Sequence, residues 1–162
     1  MYHVKNIAPK KMSKISTHFY IEDFVPKIIF SSWGEKSLWF ISPFMVNYVE
    51  LLWNRFNKQV IINTWKQGGV LENRGFRLPD CPTGGKLSQH KFKNAVDTNV
   101  LGISPEEVYK DIQNNFSIYS KVGLTTVEDI KFTTGDVEGD LKGWNHGDGR
   151  WTNQNELLIV KP

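Results

Sequence analysis

Two Ser-Pro pairs determine where the most regular helices of this chain begin. Serine is a favoured residue at the N-cap of a helix, and proline is well tolerated at the first helical position. Ser42-Pro43 precedes apolar residues at the i, i+3, i+4 spacing of one helix face, namely Phe44, Tyr48, Leu51, Leu52 and Phe56. Ser104-Pro105 opens a second helix, which ends before Gly123 and carries inward Val108, Ile112 and Phe116. Each helix is therefore expected to bury one face.

Four short segments that contain apolar residues predict strands. They cover residues 60–62, 95–100, 127–132 and 157–160. A short helical turn is expected at 20–26, and loops are expected at 31–35, 67–85 and 135–149. This order of helices and strands predicts a small α+β domain with a mainly antiparallel sheet and flanking helices.

The composition allows this domain to fold without disulfides or a structural metal. A chain of 162 residues with 40% hydrophobic residues, including six Trp, five Tyr and ten Phe, supplies enough core for one domain. We assign residues 20–162 to that domain and residues 1–19 to an irregular N-terminal segment. The one cysteine, Cys81, cannot form an internal disulfide. Any bound metal is therefore expected to have a catalytic role rather than a structural one.

Charge and hydropathy exclude two classes of partner. The 20 basic and 17 acidic residues leave a net charge of +3 without a basic cluster, which argues against nucleic-acid binding. No segment approaches the roughly 18 apolar residues of a membrane span, and the N-terminus lacks the apolar stretch of a secretory signal. The protein is therefore expected to be made in the cytoplasm without a signal peptide.

The histidines restrict where a metal could bind. Two of the four, His3 and His18, fall in the N-terminal region, which leaves His90 and His146. Asp97 lies seven residues after His90 on a predicted strand. His146 would have to approach these two residues from the glycine-rich loop predicted at 135–149. A catalytic zinc takes three ligands from histidine and carboxylate and leaves a fourth position for water. Spacing alone leaves open that His90 only caps backbone and that Asp97 is a solvated strand acid.

Two motifs carry a resemblance to a known family. The run S-Q-H-K-F-K-N-A-V-D at 88–97 resembles the S-x-H-(x)4-A-x-D signature of the zinc D-Ala-D-Ala carboxypeptidase family, which shares its fold with the hedgehog signalling domain. The run W-N-H-G-D-G-R at 144–150 is similar to the second motif of that family, W-x-H-x-D-x-R. Further segments resemble phage-type members in the same order, at 23–25, 39–43, 62–69, 74–79 and 84–90. The resemblance spans about residues 20–162.

The resemblance implies roles for individual residues. The zinc ligands of the family correspond to His90, Asp97 and His146. Arg77 would bind a substrate carboxylate and stabilise charge on the scissile carbonyl, the alternative being a solvent-facing loop arginine. Ser88 and Trp144 are expected to contact substrate, and Trp151 is expected to help Trp144 shape and dry the site.

The general base is the least determined role. Many relatives place an acid three residues before the last histidine, but this chain has Gly143 there. Asp148 and Asp140 are the alternatives, with Asp148 favoured, and either could instead only orient His146. Lys93 also stands where relatives commonly carry glycine, and the two glycines of the second motif predict flexibility there.

The resemblance implies a zinc metallopeptidase that hydrolyses an amide bond in peptidoglycan stem peptides, as a carboxypeptidase or an endopeptidase. Without a signal peptide, such a protein would reach the cell wall as a phage endolysin after release, or as part of a virion. The alternative is a non-catalytic phage structural or tail-associated module that keeps the fold and binds other virion proteins. The missing acid at position 143 favours that alternative.

Overall fold

The computed structural model describes residues 13–153 and 155–162. Residues 1–12 of the predicted irregular segment lie outside the described residues. In the remainder of that segment, Lys14 forms an isolated antiparallel bridge with Tyr20. Within the described part of the chain, no helix has both the length and the apolar character that a membrane span requires.

Two of the described α-helices, α2 and α3, begin where the Ser-Pro pairs predict. The described α-helices are α1 (Lys27–Trp33), α2 (Pro43–Phe56), α3 (Pro105–Asn114) and α4 (Phe116–Tyr119). Shorter 3₁₀ segments cover Ile21–Asp23, Gly34–Phe40, Trp65–Gln67, Gln89–Phe92, Ser120–Val122 and Ile130–Phe132. Ser104 forms a capping box with Glu107, whereas Ser42 lies at the N-cap of α2 without a side-chain cap hydrogen bond.

Two expectations for the helical parts are wrong. The loop predicted at 31–35 is the end of α1 and the start of the next 3₁₀ segment, because buried Ile29 and Phe30 anchor this part of the chain to the core. The second predicted helix is interrupted after α3. Asn115 leaves the helical conformation there, with φ −126° and ψ 29°, and its side chain donates to the backbone oxygen of Asp111.

The strands form one main sheet and one small hairpin. Their bounds are β1 (Val60–Ile61), β2 (Ala95–Val100), β3 (Thr126–Glu128), β4 (Asp136–Glu138), β5 (Leu141–Lys142), β6 (Asn145–Asp148) and β7 (Leu158–Val160). The main sheet has the order β1-β2-β6-β3-β7, in which only the β3–β7 pair is parallel. The strands β4 and β5 pair separately. The predicted α+β class with a mainly antiparallel sheet is confirmed.

The loop predicted at 135–149 is wrong, because it contains β4, β5 and the central strand β6. The residues of β6 are Asn-His-Gly-Asp, which include none of the residue types that are enriched in strands, yet all four are buried. The backbone of β6 forms hydrogen bonds with β2 on one side and β3 on the other. Pairing between segments so distant in sequence cannot be predicted from a local residue pattern. The strand predicted at 127–132 also stops early, at Glu128, because Asp129 caps a 3₁₀ segment.

The glycines of the second motif are closely packed, contrary to the expected flexibility. A Cβ on Gly147 would lie 2.9 Å from Tyr48 Cε1 and 3.0 Å from Leu124 Cδ1, and both of these side chains are fully buried. A Cβ on Gly149 would lie 3.0 Å from Phe44 Cγ. Glycine at these two positions therefore lets α2 approach β6, the strand that carries His146.

Replacing Gly147 by alanine is expected to lower the free energy of unfolding by roughly 1–3 kcal/mol, because the added methyl group overpacks a core that cannot move aside. Thermal unfolding followed by circular dichroism measures the change. Gly85→Ala is the matched control, since no atom lies within 4 Å of a Cβ at that position. An equal loss of stability in both variants would contradict the close packing of α2 on β6.

Candidate metal centre

The pairing of β2 with β6 brings two of the predicted ligands together. Asp97 lies directly opposite His146 in the antiparallel register, so both side chains project from the same face of the sheet. Both residues are buried, and the alternative of Asp97 as a solvated strand acid is therefore wrong. Two adjacent central strands hold these ligands, which gives the site a rigid base.

His90 reaches the same point from the 3₁₀ segment that precedes β2. Lys93 ends this segment in the left-handed conformation, with φ 62°, and turns the chain into the strand. This is the conformation that favours glycine. Lys93 Nζ donates to the backbone oxygen of Trp39 at 3.1 Å and lies 5.6 Å from the centre of the Phe40 ring. These contacts help a lysine occupy a glycine-like position.

The donor atoms of the three residues form a small triangle. Asp97 Oδ1 lies 2.8 Å from His146 Nδ1 and 3.2 Å from His90 Nε2, and the two histidine nitrogens are 3.2 Å apart. In a tetrahedral zinc site with bonds of 2.0–2.1 Å, ligand atoms lie about 3.3 Å from one another. His90, Asp97 and His146 are thus a buried group that could hold a metal ion.

The hydrogen bonds on the far sides of the two imidazoles set which nitrogens face the triangle. His90 Nδ1 lies 2.7 Å from the backbone oxygen of Gly75, which can only accept, so Nδ1 carries the proton. His146 Nε2 lies 3.2 Å from Asp148 Oδ2 in the same manner. On neutral rings, the lone pairs of His90 Nε2 and His146 Nδ1 would then face Asp97 Oδ1, and either a proton or a metal cation is the natural occupant of the space between these atoms.

Electrostatics favour positive charge in the triangle. Burial lowers the pKa of His146, but hydrogen bonds with Asp148 and Asp97 outweigh burial and raise this pKa to about 10. Burial raises the pKa of Asp97, yet His90 and His146 hold it well below its ordinary value. Burial also lowers the pKa of His90. A metal ion in the triangle would take the place of the proton that His146 otherwise retains.

Asp148 orients His146 and is itself held in place. Its side chain is fully buried and accepts from Arg150 Nε at 2.8 Å and from Arg150 Nη2 at 2.6 Å. Burial raises the pKa of Asp148, but the hydrogen bonds from Arg150 and His146 lower it overall. With Arg150 and His146 as neighbours, this carboxylate fits the orienting role that was the alternative to proton transfer.

Arg77 also contacts the triad, from the loop before His90. Its Nη2 donates to Asp97 Oδ2 at 2.7 Å, and its Nε donates to the backbone oxygen of Asn73 at 2.5 Å. The side chain is buried, so the alternative of a solvent-facing arginine is wrong. Its guanidinium nevertheless reaches the wall of the neighbouring cleft.

A cleft of about 520 Å³ opens onto the triad. Its lining includes the predicted substrate contacts Ser88 and Trp144 together with Arg77, Arg150, Lys161 and Glu128. Asp140 does not line it, since this residue is exposed in the turn between β4 and β5 and borders a separate depression. Trp151 is 86% exposed and lies outside the lining of the cleft.

Glu128 is the acid that the sequence patterns missed. Continuing the β3–β6 register by one residue places Glu128 opposite His146, and Glu128 Oε1 lies 4.0 Å from His146 Nδ1. The side chain is half-buried in the cleft, and burial raises its pKa above that of an ordinary glutamate. The available signal was an acidic residue within a predicted strand, but the sequence did not predict the partner strand β6.

The backbone conformation and the close surroundings of Gly143, three residues before His146, leave no room for an acidic side chain there. Its φ is 62°, and a Cβ there would lie 2.7 Å from the backbone oxygen of Thr133. Its own carbonyl accepts from Asn99 Nδ2 at 2.8 Å. A side chain at this position would therefore disrupt the connection that leads into β6.

The chain matches no protein-family model, no curated protein and no solved structure. The protein has an α+β fold with a buried His-Asp-His group at the base of an open cleft.

Proposed function

We propose that this protein is a zinc-dependent peptidase that hydrolyses an amide bond in the peptides of peptidoglycan. The observation that carries the proposal is the triangle of His90, Asp97 and His146 donor atoms, no more than 3.2 Å apart, at the base of an open cleft. The motif resemblance supports the substrate class. It also supports a fold of the hedgehog and D-Ala-D-Ala peptidase type.

Zinc suits this donor set better than magnesium or calcium does. Two imidazole nitrogens and one carboxylate oxygen are ligands that zinc prefers, whereas magnesium and calcium prefer sites made of oxygen. The core is large enough without a metal, so the site has no evident structural purpose. When bound, zinc supplies a Lewis acid that polarises a carbonyl group and increases the acidity of water.

Glu128 is the proton carrier in this proposal. Its Oε1 lies 4.0 Å from His146 Nδ1, and the residue lines the open cleft, so a water molecule in the cleft could contact this carboxylate. Oε1 would take a proton from that water and deliver it to the leaving amine. A raised pKa makes this carboxylate a better proton acceptor than an ordinary glutamate, which suits the first step, and the resulting carboxylic acid is the proton donor of the second step.

Other residues orient the peptide and the ligands. Asp148 fixes the ring of His146, and the backbone oxygen of Gly75 fixes the ring of His90. Trp144 and Ser88 both line the cleft, where they offer an aromatic ring and a hydroxyl group. A stem peptide in the cleft would contact these side chains and place its scissile carbonyl next to the triad.

Metal analysis and a cell-wall assay test the proposal. The purified protein is expected to contain about one zinc per chain and to release peptides with new amino termini from purified walls. Treatment with a chelator should stop the release, and added zinc should restore it. A chain without bound zinc would contradict the proposal. Bound zinc without release of peptides would favour the non-catalytic phage module.

A further inference from the structure

We propose that Arg77 is a positioning residue that sets the metal preference of the centre, by holding one oxygen of Asp97 so that only the other can ligate. The inference rests on the proposed metal centre and extends it. The motif resemblance implies that Arg77 binds substrate. Setting the metal preference of the centre is a different task.

The two oxygens of Asp97 have separate partners. Oδ1 faces His146 Nδ1 at 2.8 Å and His90 Nε2 at 3.2 Å, so it is the oxygen within the triangle. Oδ2 accepts from Arg77 Nη2 at 2.7 Å. A charge-assisted hydrogen bond of this length is strong, and it competes directly with any metal for Oδ2.

The guanidinium of Arg77 is held from more than one side. Its Nε donates to the backbone oxygen of Asn73 at 2.5 Å, which fixes the plane of the group. Gly84 leaves room for Nη1, since a Cβ there would lie only 2.9 Å from that atom. Arg77 is also buried, so solvent does not compete for its contact with Asp97. The contact between Arg77 and Asp97 is therefore a fixed part of the site.

A carboxylate limited to one oxygen keeps the number of ligands low. Zinc accepts four ligands in tetrahedral geometry, whereas calcium takes six to eight oxygens and manganese also favours oxygen-rich octahedral sites. If Oδ2 were released, Asp97 could bind through both oxygens and admit these larger coordination numbers. Arg77 thus favours zinc over cations of higher coordination number without touching the metal.

The test compares Arg77→Gln and Arg77→Lys with the unaltered protein, using zinc and manganese affinity and the visible spectrum of the cobalt(II) form. Four-coordinate cobalt absorbs strongly in the visible region, and six-coordinate cobalt absorbs weakly. Arg77→Gln is expected to weaken zinc binding by about 10- to 100-fold and to lower the cobalt absorption. It should also reduce the preference for zinc over manganese. Arg77→Lys keeps the positive charge but lacks the planar guanidinium, so its zinc affinity and cobalt absorption should lie between those of Arg77→Gln and the unaltered protein.

Arg55→Gln is the matched control. Arg55 also pairs with a carboxylate, donating from Nη2 to Asp111 Oδ1 at 2.6 Å, but it lies outside the cleft. Its loss should leave the cobalt spectrum unchanged, and melting curves identify any variant that has lost its fold. Unchanged metal affinity and spectrum in Arg77→Gln, with a raised KM for peptide, would overturn the inference and return Arg77 to substrate binding. A wild-type chain that binds no zinc would instead overturn the metal centre itself.

Discussion

Replacing His146 by alanine is expected to abolish zinc binding and to reduce peptide release to the background rate. The substitution removes one of three ligands, which costs more than the roughly 100-fold loss of metal affinity typical of residues that only orient a ligand. It also leaves Asp97 and Asp148 buried without the partner between them. Since Arg77 and Arg150 still pair with these two carboxylates, a loss of about 1–3 kcal/mol in unfolding free energy is expected as well.

Zinc content, peptide release and melting temperature are measured on the same preparation. His18→Ala is the control, because His18 also pairs with a carboxylate, Glu50, at 2.7 Å but is not part of the triad. This control should keep its zinc and its activity. A His146→Ala protein that still holds about one tightly bound zinc per chain would contradict the assigned centre.

Replacing Glu128 by glutamine is expected to lower kcat by about 10²- to 10⁴-fold while the zinc content stays the same. The amide keeps the size of the side chain but cannot take a proton. Since Glu128 lies beside the triad rather than within it, metal affinity should change little. Single-turnover assays on a defined stem peptide, with zinc content measured in parallel, check both statements.

Two aspartates serve as comparisons for Glu128. Asp140→Asn should leave kcat unchanged, because Asp140 is exposed in the turn between β4 and β5 and does not line the cleft. Asp148→Asn should lower zinc affinity by about 10- to 100-fold, because Asp148 orients His146. The assignment of Glu128 would be wrong if Glu128→Gln stayed fully active. A large loss of kcat in Asp140→Asn would point to Asp140 instead.

Strong local signals in the sequence determined the start of α2 and α3, the strand β2 and the α+β class. The Ser-Pro pairs mark helix starts through the geometry of a few neighbouring residues, so local chemistry is enough to find them. The motif at 88–97 also led to His90 and Asp97, and the second motif led to His146. The structure brings these three together as a group that could hold a metal.

Only the tertiary structure determined which contacts the other residues make around the triad. β6 is polar and glycine-rich, so it forms a strand only because β2 and β3 pair with it on both sides. That pairing brings Glu128 beside His146 and makes Gly147 a packing contact for α2. Asp140 lies outside the lining of the cleft and borders a separate depression. The contact of Arg77 with Asp97 likewise joins a loop to a strand. These relations depend on which distant segments meet, and residue spacing along the chain carries no record of that.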